Sequence, residues 1–293
     1  MHDDWQRTAF GRIGIIWLSG FLFFTGGWRS EAEDSPPGPD RVEIYKTVGE
    51  VELRINIFQP PASDQTSRPA IVFFFGGGWV GGTPRQFYPH CRHLADQGMV
   101  AMSAEYRVRS RHGTTPFDCV KDGKSAIRWV RVHARRLGID PQRIAAGGGS
   151  AGGHVAGATA TVDGLDEDAD QSVSARPDAL VLFNPVYDNG PEGYGHDRVK
   201  DRYFEISPMH NIRAGMPPAI VFLGTKDQLI PVTTAERFQK RMFEVGVRSE
   251  LKLYPEQGHG FFNHGRNENR YYRDTVAEMD RFLQSLGFLP SGR

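Results

Sequence analysis

The residues best suited to chemistry lie on two glycine-rich turns. Gly148-Gly149-Ser150-Ala151-Gly152 follows the apolar run Arg143 to Gly147 and precedes the small-residue segment Gly153 to Ala160, giving G-x-S-x-G at a strand-to-helix turn. A bare serine hydroxyl is a poor nucleophile, so such a turn must lift Oγ toward a base. Side chains at Gly148 and Gly152 would strike the neighbouring backbone. Earlier in the chain, Phe73-Phe74-Phe75-Gly76-Gly77-Gly78-Trp79 is a buried-strand pattern ending in three glycines. Backbone N–H groups there can be left free to face a developing negative charge. Taken alone, the serine motif is also compatible with a glycine-rich turn that a serine merely caps.

Together these segments resemble the esterase and lipase branch of the α/β-hydrolase fold, whose loop reads H-G-G-G-W and whose elbow reads G-x-S-A-G-G. The elbow matches as Gly148 to Gly153; the loop matches Gly76 to Trp79 but has Phe75 at the histidine position. The resemblance implies that Ser150 is the nucleophile and that Gly77, Gly78 and Ala151 present N–H groups to a tetrahedral oxyanion. Phe75 leaves those main-chain donors in place but removes the side chain that usually helps hold the loop. The family takes its triad in the order serine, acid, histidine. Asp227, in Gly224-Thr225-Lys226-Asp227, matches the G-x-x-D acid, and His259, in Gly258-His259-Gly260-Phe261, matches G-H-x-F. His264 is the nearest rival base, and Asp188 and Glu205 are rival acids on a different loop. Glu105-Tyr106-Arg107, Pro116 to Asp122 and Leu229-Ile230-Pro231 extend the similarity, which spans roughly Ala70 to Leu286.

Holding these groups in place requires a rigid frame, and the hydrophobic patterning supplies one. Val42 to Val48 and Val51 to Phe58 alternate around Gly49-Glu50 as a half-exposed antiparallel hairpin. Ala70 to Phe75, Met99 to Glu105, Arg143 to Gly147, Ala179 to Phe183 and Ala219 to Leu223 are short apolar runs of the kind that parallel strands buried on both faces require, and Glu250 to Tyr254 is strand-like. Helical segments lie between them. Thr115 caps one, Pro116 takes its first turn, Ile127, Val130, Ala134 and Leu137 share a face, and Gly138 ends it. The last helix carries Tyr272, Val276, Met279, Leu283 and Leu286 before Gly287. The expected architecture is α/β: a mainly parallel sheet, antiparallel at its N-terminal side, with helices on both faces. Asp163 to Asp170 lacks calcium-loop spacing and reads as a solvated surface loop.

A chain of 293 residues, 39% hydrophobic and 24% charged, fits one such domain, expected over residues 41–293. Its 35 basic and 35 acidic side chains cancel, so no summed field draws in nucleic acid or an anionic membrane. Residues 1–32 have a signal-peptide layout: Arg7 and Arg12, the apolar run Ile13 to Phe24, and the small-residue site Ser30-Glu31-Ala32. Residues 33–40 then form a Pro-rich lead-in. The run is about 12 residues, short of the roughly 17 that span a bilayer. Export with cleavage is the expectation, which leaves no stable membrane association; an uncleaved anchor is the alternative. Cys91 and Cys119 fall on helices that the fold places on opposite faces of the sheet, so two unpaired buried thiols are expected.

The activity implied is hydrolysis of carboxylic esters through an acyl-enzyme, with no metal or organic cofactor. A serine peptidase shares the triad, but relatives of that kind carry a propeller or large cap for which the chain has no room. A non-catalytic binding module of the same fold usually lacks a triad member, and none is missing. Between Phe183 and Pro218 the segment Tyr187 to Asp197 is polar and turn-forming, unlike an interfacial lipase lid. A short acyl group on a polar or carbohydrate-like alcohol is therefore expected. Tyr187, Tyr194, Tyr203 and Phe204 offer flat faces for sugar rings; alternatively, they pack the insertion against the domain. The resemblance adds that compact exported relatives include acetyl and aryl esterases acting on polysaccharides.

Overall fold

The computed structural model describes residues 38–62, 67–168 and 170–290, which belong to one compact unit; the signal-like segment lies outside them. Eight strands form one sheet: β1 (Arg41–Val48), β2 (Val51–Phe58), β3 (Arg68–Phe74), β4 (Val100–Ala104), β5 (Ile139–Gly149), β6 (Ala179–Phe183), β7 (Ala219–Gly224) and β8 (Ser249–Tyr254). Their order is β1-β2-β4-β3-β5-β6-β7-β8. β1 and β2 form the antiparallel hairpin, β2 meets β4 antiparallel, and every later pairing is parallel. β1 is the solvent edge, where Val42 and Ile44 are exposed.

β3, β4, β6 and β7 are buried throughout, and β5 from Ile144 onward, because helices cover both faces. Alternate residues feed two separate cores. Val72 and Phe74 point to one, with α2 (Pro116–Val132), α3 (Ala151–Thr161) and α4 (Val232–Glu244); Ile71 and Phe73 point to the other, with α1 (Tyr88–Asp96) and α5 (Arg270–Ser285). Cys119 belongs to the first core and Cys91 to the second, so the sheet separates the two free thiols. Burial pushes both well above the ordinary thiol range, leaving them inert.

Two local expectations need correction. α2 begins as expected, with Thr115 and Asp118 in a capping box, but it stops at Val132; Ala134–Leu137 is a separate turn that ends on left-handed Gly138. All four apolar positions are nevertheless buried, so the period held while the backbone broke at His133. The acidic stretch is solvated at its ends, Asp163 and Asp170, but pinned between them. Asp166 pairs with Lys124 and Arg128, Asp168 with Arg128, and Glu167 with Lys46, Arg107 and Lys121, strapping the segment onto α2. Beneath the strap, Asp122 has no exposed side-chain surface and accepts from Lys46 Nζ (2.8 Å) and from Arg107 N, Nε and Nη2 (2.9, 2.8 and 2.8 Å). Composition alone could not locate the cations, which come from β1, α2 and the loop after β4. Among the described residues no helix is long and apolar enough to cross a membrane.

Candidate active site

The carboxyl ends of β3, β5, β6, β7 and β8 converge on one pocket of about 400 Å³ lined by Gly76, Gly77, Gly78, Ser150, Asn184, Tyr194, Leu229, His259 and Phe262, among others. Parallel strands place their following loops on the same edge, so residues distant in sequence meet there. Ser150 occupies a sharp elbow between β5 and α3 at φ 53° and ψ −120°, conformations an L-residue adopts only under constraint. The constraint is steric. A Cβ on Gly148 would lie 2.5 Å from the Gly152 carbonyl, and one on Gly152 would lie 2.0 Å from Phe74 O. Ser150 N donates to Phe183 O at 3.0 Å, fixing the elbow against β6.

Asp227 follows β7 with its carboxylate fully buried. It accepts from Leu229 N (2.9 Å), Ile230 N (3.0 Å) and His259 Nδ1 (2.7 Å). Those two backbone donors aim the carboxylate, and the carboxylate in turn holds the ring through Nδ1, leaving Nε2 as the nitrogen on the other side. His259 itself is partly exposed to the pocket that Ser150 lines. The rivals lie elsewhere: His264 packs edge-on against Tyr272, Asp188 pairs with Arg237, and Glu205 with Arg202.

The loop Gly76 to Trp79 approaches from β3. Among the described residues, the N–H groups of Gly77, Gly78 and Ala151 make no hydrogen bond, as an oxyanion site requires. Ala151 opens α3, whose dipole adds positive potential at that point. The bracing expected from a histidine at position 75 comes from four other side chains. Tyr106 Oη donates to Phe75 O at 2.6 Å while its ring stacks on Phe75; Gly76 N donates to Gln86 Oε1 at 2.6 Å. Trp79 Nε1 donates to His154 Nδ1 at 3.2 Å, and Arg198 Nη1 donates to Gly78 O at 2.5 Å. Burial lowers His154 to about 4, so it stays neutral, with Nε2–H donating to Ile206 O at 3.0 Å.

Asn184, at the end of β6, was missed by motif matching. Gly260 N donates to its Oδ1 at 2.9 Å, which orients the amide so that Nδ2 faces His259 Nε2 at 3.3 Å. A donor at Nε2 favours the unprotonated nitrogen that a general base must offer. A polar amide immediately after the apolar run Ala179 to Phe183 was the available signal. A second amide link joins the two loops: Gln86 Nε2 donates to Asn263 Oδ1, and Asn263 Nδ2 to Gly260 O, both at 2.8 Å.

Of the four aromatics expected to face a sugar, only Tyr194 lines this pocket. Tyr187 is 1% exposed and stacked on Phe238, so it packs the insertion rather than meeting a ligand. Tyr203 packs on Phe204 and His210 away from the site. A larger groove of about 630 Å³ between Arg131 and Pro217 contains no histidine beside its serines. Among the described residues no group of three His, Cys, Asp or Glu side chains is placed to hold a metal ion.

A serine elbow and an Asp–His pair at the carboxyl edge of a mainly parallel sheet is the arrangement of α/β-hydrolases. Comparison with known proteins agrees. The family model described as BD-FAE matches residues 55–190. A probable carboxylic ester hydrolase of Mycobacterium tuberculosis, LipM, is 30% identical, with 83% of this chain and 69% of that protein covered. An acetylxylan esterase of Xylanibacter ruminicola is 27% identical over 76% of this chain and 47% of its own length. A thermophilic esterase of Thermogutta terrifontis, solved with propionate bound, superposes with a TM-score of 0.83 at 44% identity, covering 89% of this chain and 99% of that one. The chain belongs to the esterase and lipase family of the α/β-hydrolase fold and is a carboxylic ester hydrolase.

Proposed function

We propose that the enzyme works through an acyl-Ser150 intermediate and takes short acyl esters of polar, carbohydrate-like alcohols. Ser150 Oγ attacks the ester carbonyl as its proton passes to His259 Nε2, and the oxyanion is received by the N–H groups of Gly77, Gly78 and Ala151. His259 returns the proton to the departing alkoxide, and Asp227 supports the imidazolium between the two transfers. Water then repeats the cycle on the acyl-enzyme, releasing the acid and free serine. The observation that carries this reading is the 2.7 Å His259–Asp227 bond in the pocket that also holds the Ser150 elbow.

The short acyl preference rests on the pocket's size and on Phe262, which packs beneath the elbow where a Cβ on Gly149 would lie 2.7 Å from its Cζ. The polar alcohol is supported by Tyr194, Gln86 and Asn263 in the lining, and the likeness to an acetylxylan esterase points the same way. Initial rates on esters of one alcohol with acyl chains of two to twelve carbons, and on acetylated oligosaccharides, test both parts. Highest kcat/KM at two to four carbons together with deacetylation of a sugar supports the reading; preference for long chains with activation at an oil surface overturns it. Export across a membrane is proposed from Arg7, Arg12, the run Ile13 to Phe24 and Ser30-Glu31-Ala32. N-terminal sequencing of protein from an exporting host should give Glu33, and an intact Met1 in the membrane fraction would instead mean an anchor.

A further inference from the structure

The charge of the pocket lining is one-sided. Arg198 and Arg266 both line it, and no Asp or Glu does. Asp227, the acid behind His259, is fully buried and already accepts three hydrogen bonds. Among the described residues neither arginine has a carboxylate within salt-bridge distance, although many of the chain's other arginines are paired with acids. A guanidinium stays ionised at any working pH, so the pocket holds two fixed positive charges.

Their placement brackets the reacting centre. A methyl group built on Gly78, beside the oxyanion position, would meet Arg198 Nη1 at 3.4 Å; one built on Gly260, next to His259, would meet Arg266 Nη1 at 3.4 Å. Arg198 is held by the Gly78 carbonyl and by the faces of Trp79 and Tyr194, with its guanidinium carbon 5.6 and 5.5 Å from the ring centres. That strap occupies one of its five N–H donors. Arg266 is exposed, and its side chain has no hydrogen-bond partner among the described residues. A structural strap accounts for part of Arg198 and for none of Arg266.

We infer that the enzyme selects esters that carry a second, ionised carboxylate, on either the alcohol or the acyl side, which Arg198 and Arg266 receive by charge-assisted hydrogen bonds. This rests on the ester-hydrolase reading and deepens it: among carbohydrate-like alcohols, acidic sugars would be preferred over neutral ones. Each bond to an ionised group in a partly desolvated pocket is worth about tenfold in affinity, and salt would screen it.

Two matched pairs separate the sources of the anion. On the alcohol side, 4-acetoxybenzoate is compared with neutral 4-acetoxybenzamide; on the acyl side, the 4-nitrophenyl hemiester of glutaric acid is compared with 4-nitrophenyl pentanoate, after subtraction of spontaneous hydrolysis. The expected result is a kcat/KM ratio, anionic over neutral, of about ten for at least one pair at low salt, falling in about 0.5 M NaCl. In Arg266→Gln with Arg198→Gln the ratio should approach one, and Arg198→Lys with Arg266 intact should retain most of it. A wild-type ratio at or below one for both pairs overturns the inference. So does a ratio that the double substitution leaves unchanged, since the arginines would then act on every ester alike. Turnover of the neutral esters reports separately on the hydrolase reading. Should none occur, calorimetric binding of 4-acetoxybenzoate and 4-acetoxybenzamide to the wild-type protein and to Arg266→Gln decides the anion site alone: tighter binding of the carboxylate that is lost in the variant supports it, and equal binding ends it.

Discussion

Two polar networks penetrate this fold, and they are built from different materials. At the carboxyl edge of the sheet, backbone N–H groups and the amides of Gln86, Asn184 and Asn263 hold the Asp227–His259 pair, and the charged Arg198 touches only the Gly78 carbonyl and the faces of Trp79 and Tyr194. On the outer side of α2, full charges hold one another: Lys46, Arg107, Lys121, Lys124 and Arg128 against Asp122, Asp166, Glu167 and Asp168. Neutral donors can point at a reacting centre without neutralising it, which suits chemistry. Mutually compensated charges leave no field to use and serve only to fix a segment, so losing one leaves its buried partners under-compensated. The first network should therefore fail in rate and the second in stability.

The largest separation is expected from Ser150→Ala. Ester turnover should fall by about three powers of ten or more with the melting temperature kept, because alanine fits the elbow and only the reacting atom is lost. Steady-state kinetics beside a thermal melt would show it, and residual activity within tenfold of the parent would remove Ser150 from its role. Asp122→Ala should do the reverse. Leaving Arg107 and Lys46 with Glu167 as their one remaining acid costs about 3 kcal/mol of folding stability, read by denaturant unfolding, with kcat per folded molecule little changed. Asn184→Leu tests the amide frame directly: kcat should drop by about 10- to 100-fold at nearly constant KM, since the group orients the base and does not bind the ester.

The smallest effects come from two buried histidines that sharpen the same contrast. His154 has both ring nitrogens engaged, whereas His90, boxed by Phe73, Phe87, Phe183, Phe262 and Tyr272, has neither. Burial lowers both, His90 to about 3 and His154 to about 4 from an ordinary 6.5. Below pH 6.5 the unfolded chain binds protons that the native rings refuse, so stability is full above that pH and falls as acid is added, toward pH 4 and then 3. His90→Phe, which strands no partner, should cost under about 1 kcal/mol at pH 7 and flatten this acid loss. His154→Phe should cost about 1–3 kcal/mol, because Trp79 Nε1 and Ile206 O lose their partner, and should lower kcat as the oxyanion loop loosens. Denaturant midpoints from pH 4 to 8 separate the two.

Much of this was legible in the sequence because it was local. Gly148 and Gly152 around Ser150, the glycines after Phe75, and the apolar runs that became β3 to β7 each declare a backbone requirement within a few residues. What escaped reading depends on partners far along the chain. The brace for the Gly76 to Trp79 loop comes from Tyr106, Gln86, His154 and Arg198, no two of them on the same element. Asp163 to Asp170 looked solvated throughout because the cations that pin its middle, Asp166 to Asp168, are supplied by other elements. Tyr187 looked available for a sugar because nothing local shows that Phe238 covers it.

Whether Ser150 forms the covalent bond is read by peptide mass mapping after treatment with paraoxon. A single diethylphosphoryl adduct on the peptide carrying Ser150, formed as esterase activity disappears and absent from Ser150→Ala, is the expected result. An adduct on another residue with equal loss of activity, or inhibition and labelling that persist in Ser150→Ala, would place the nucleophile elsewhere.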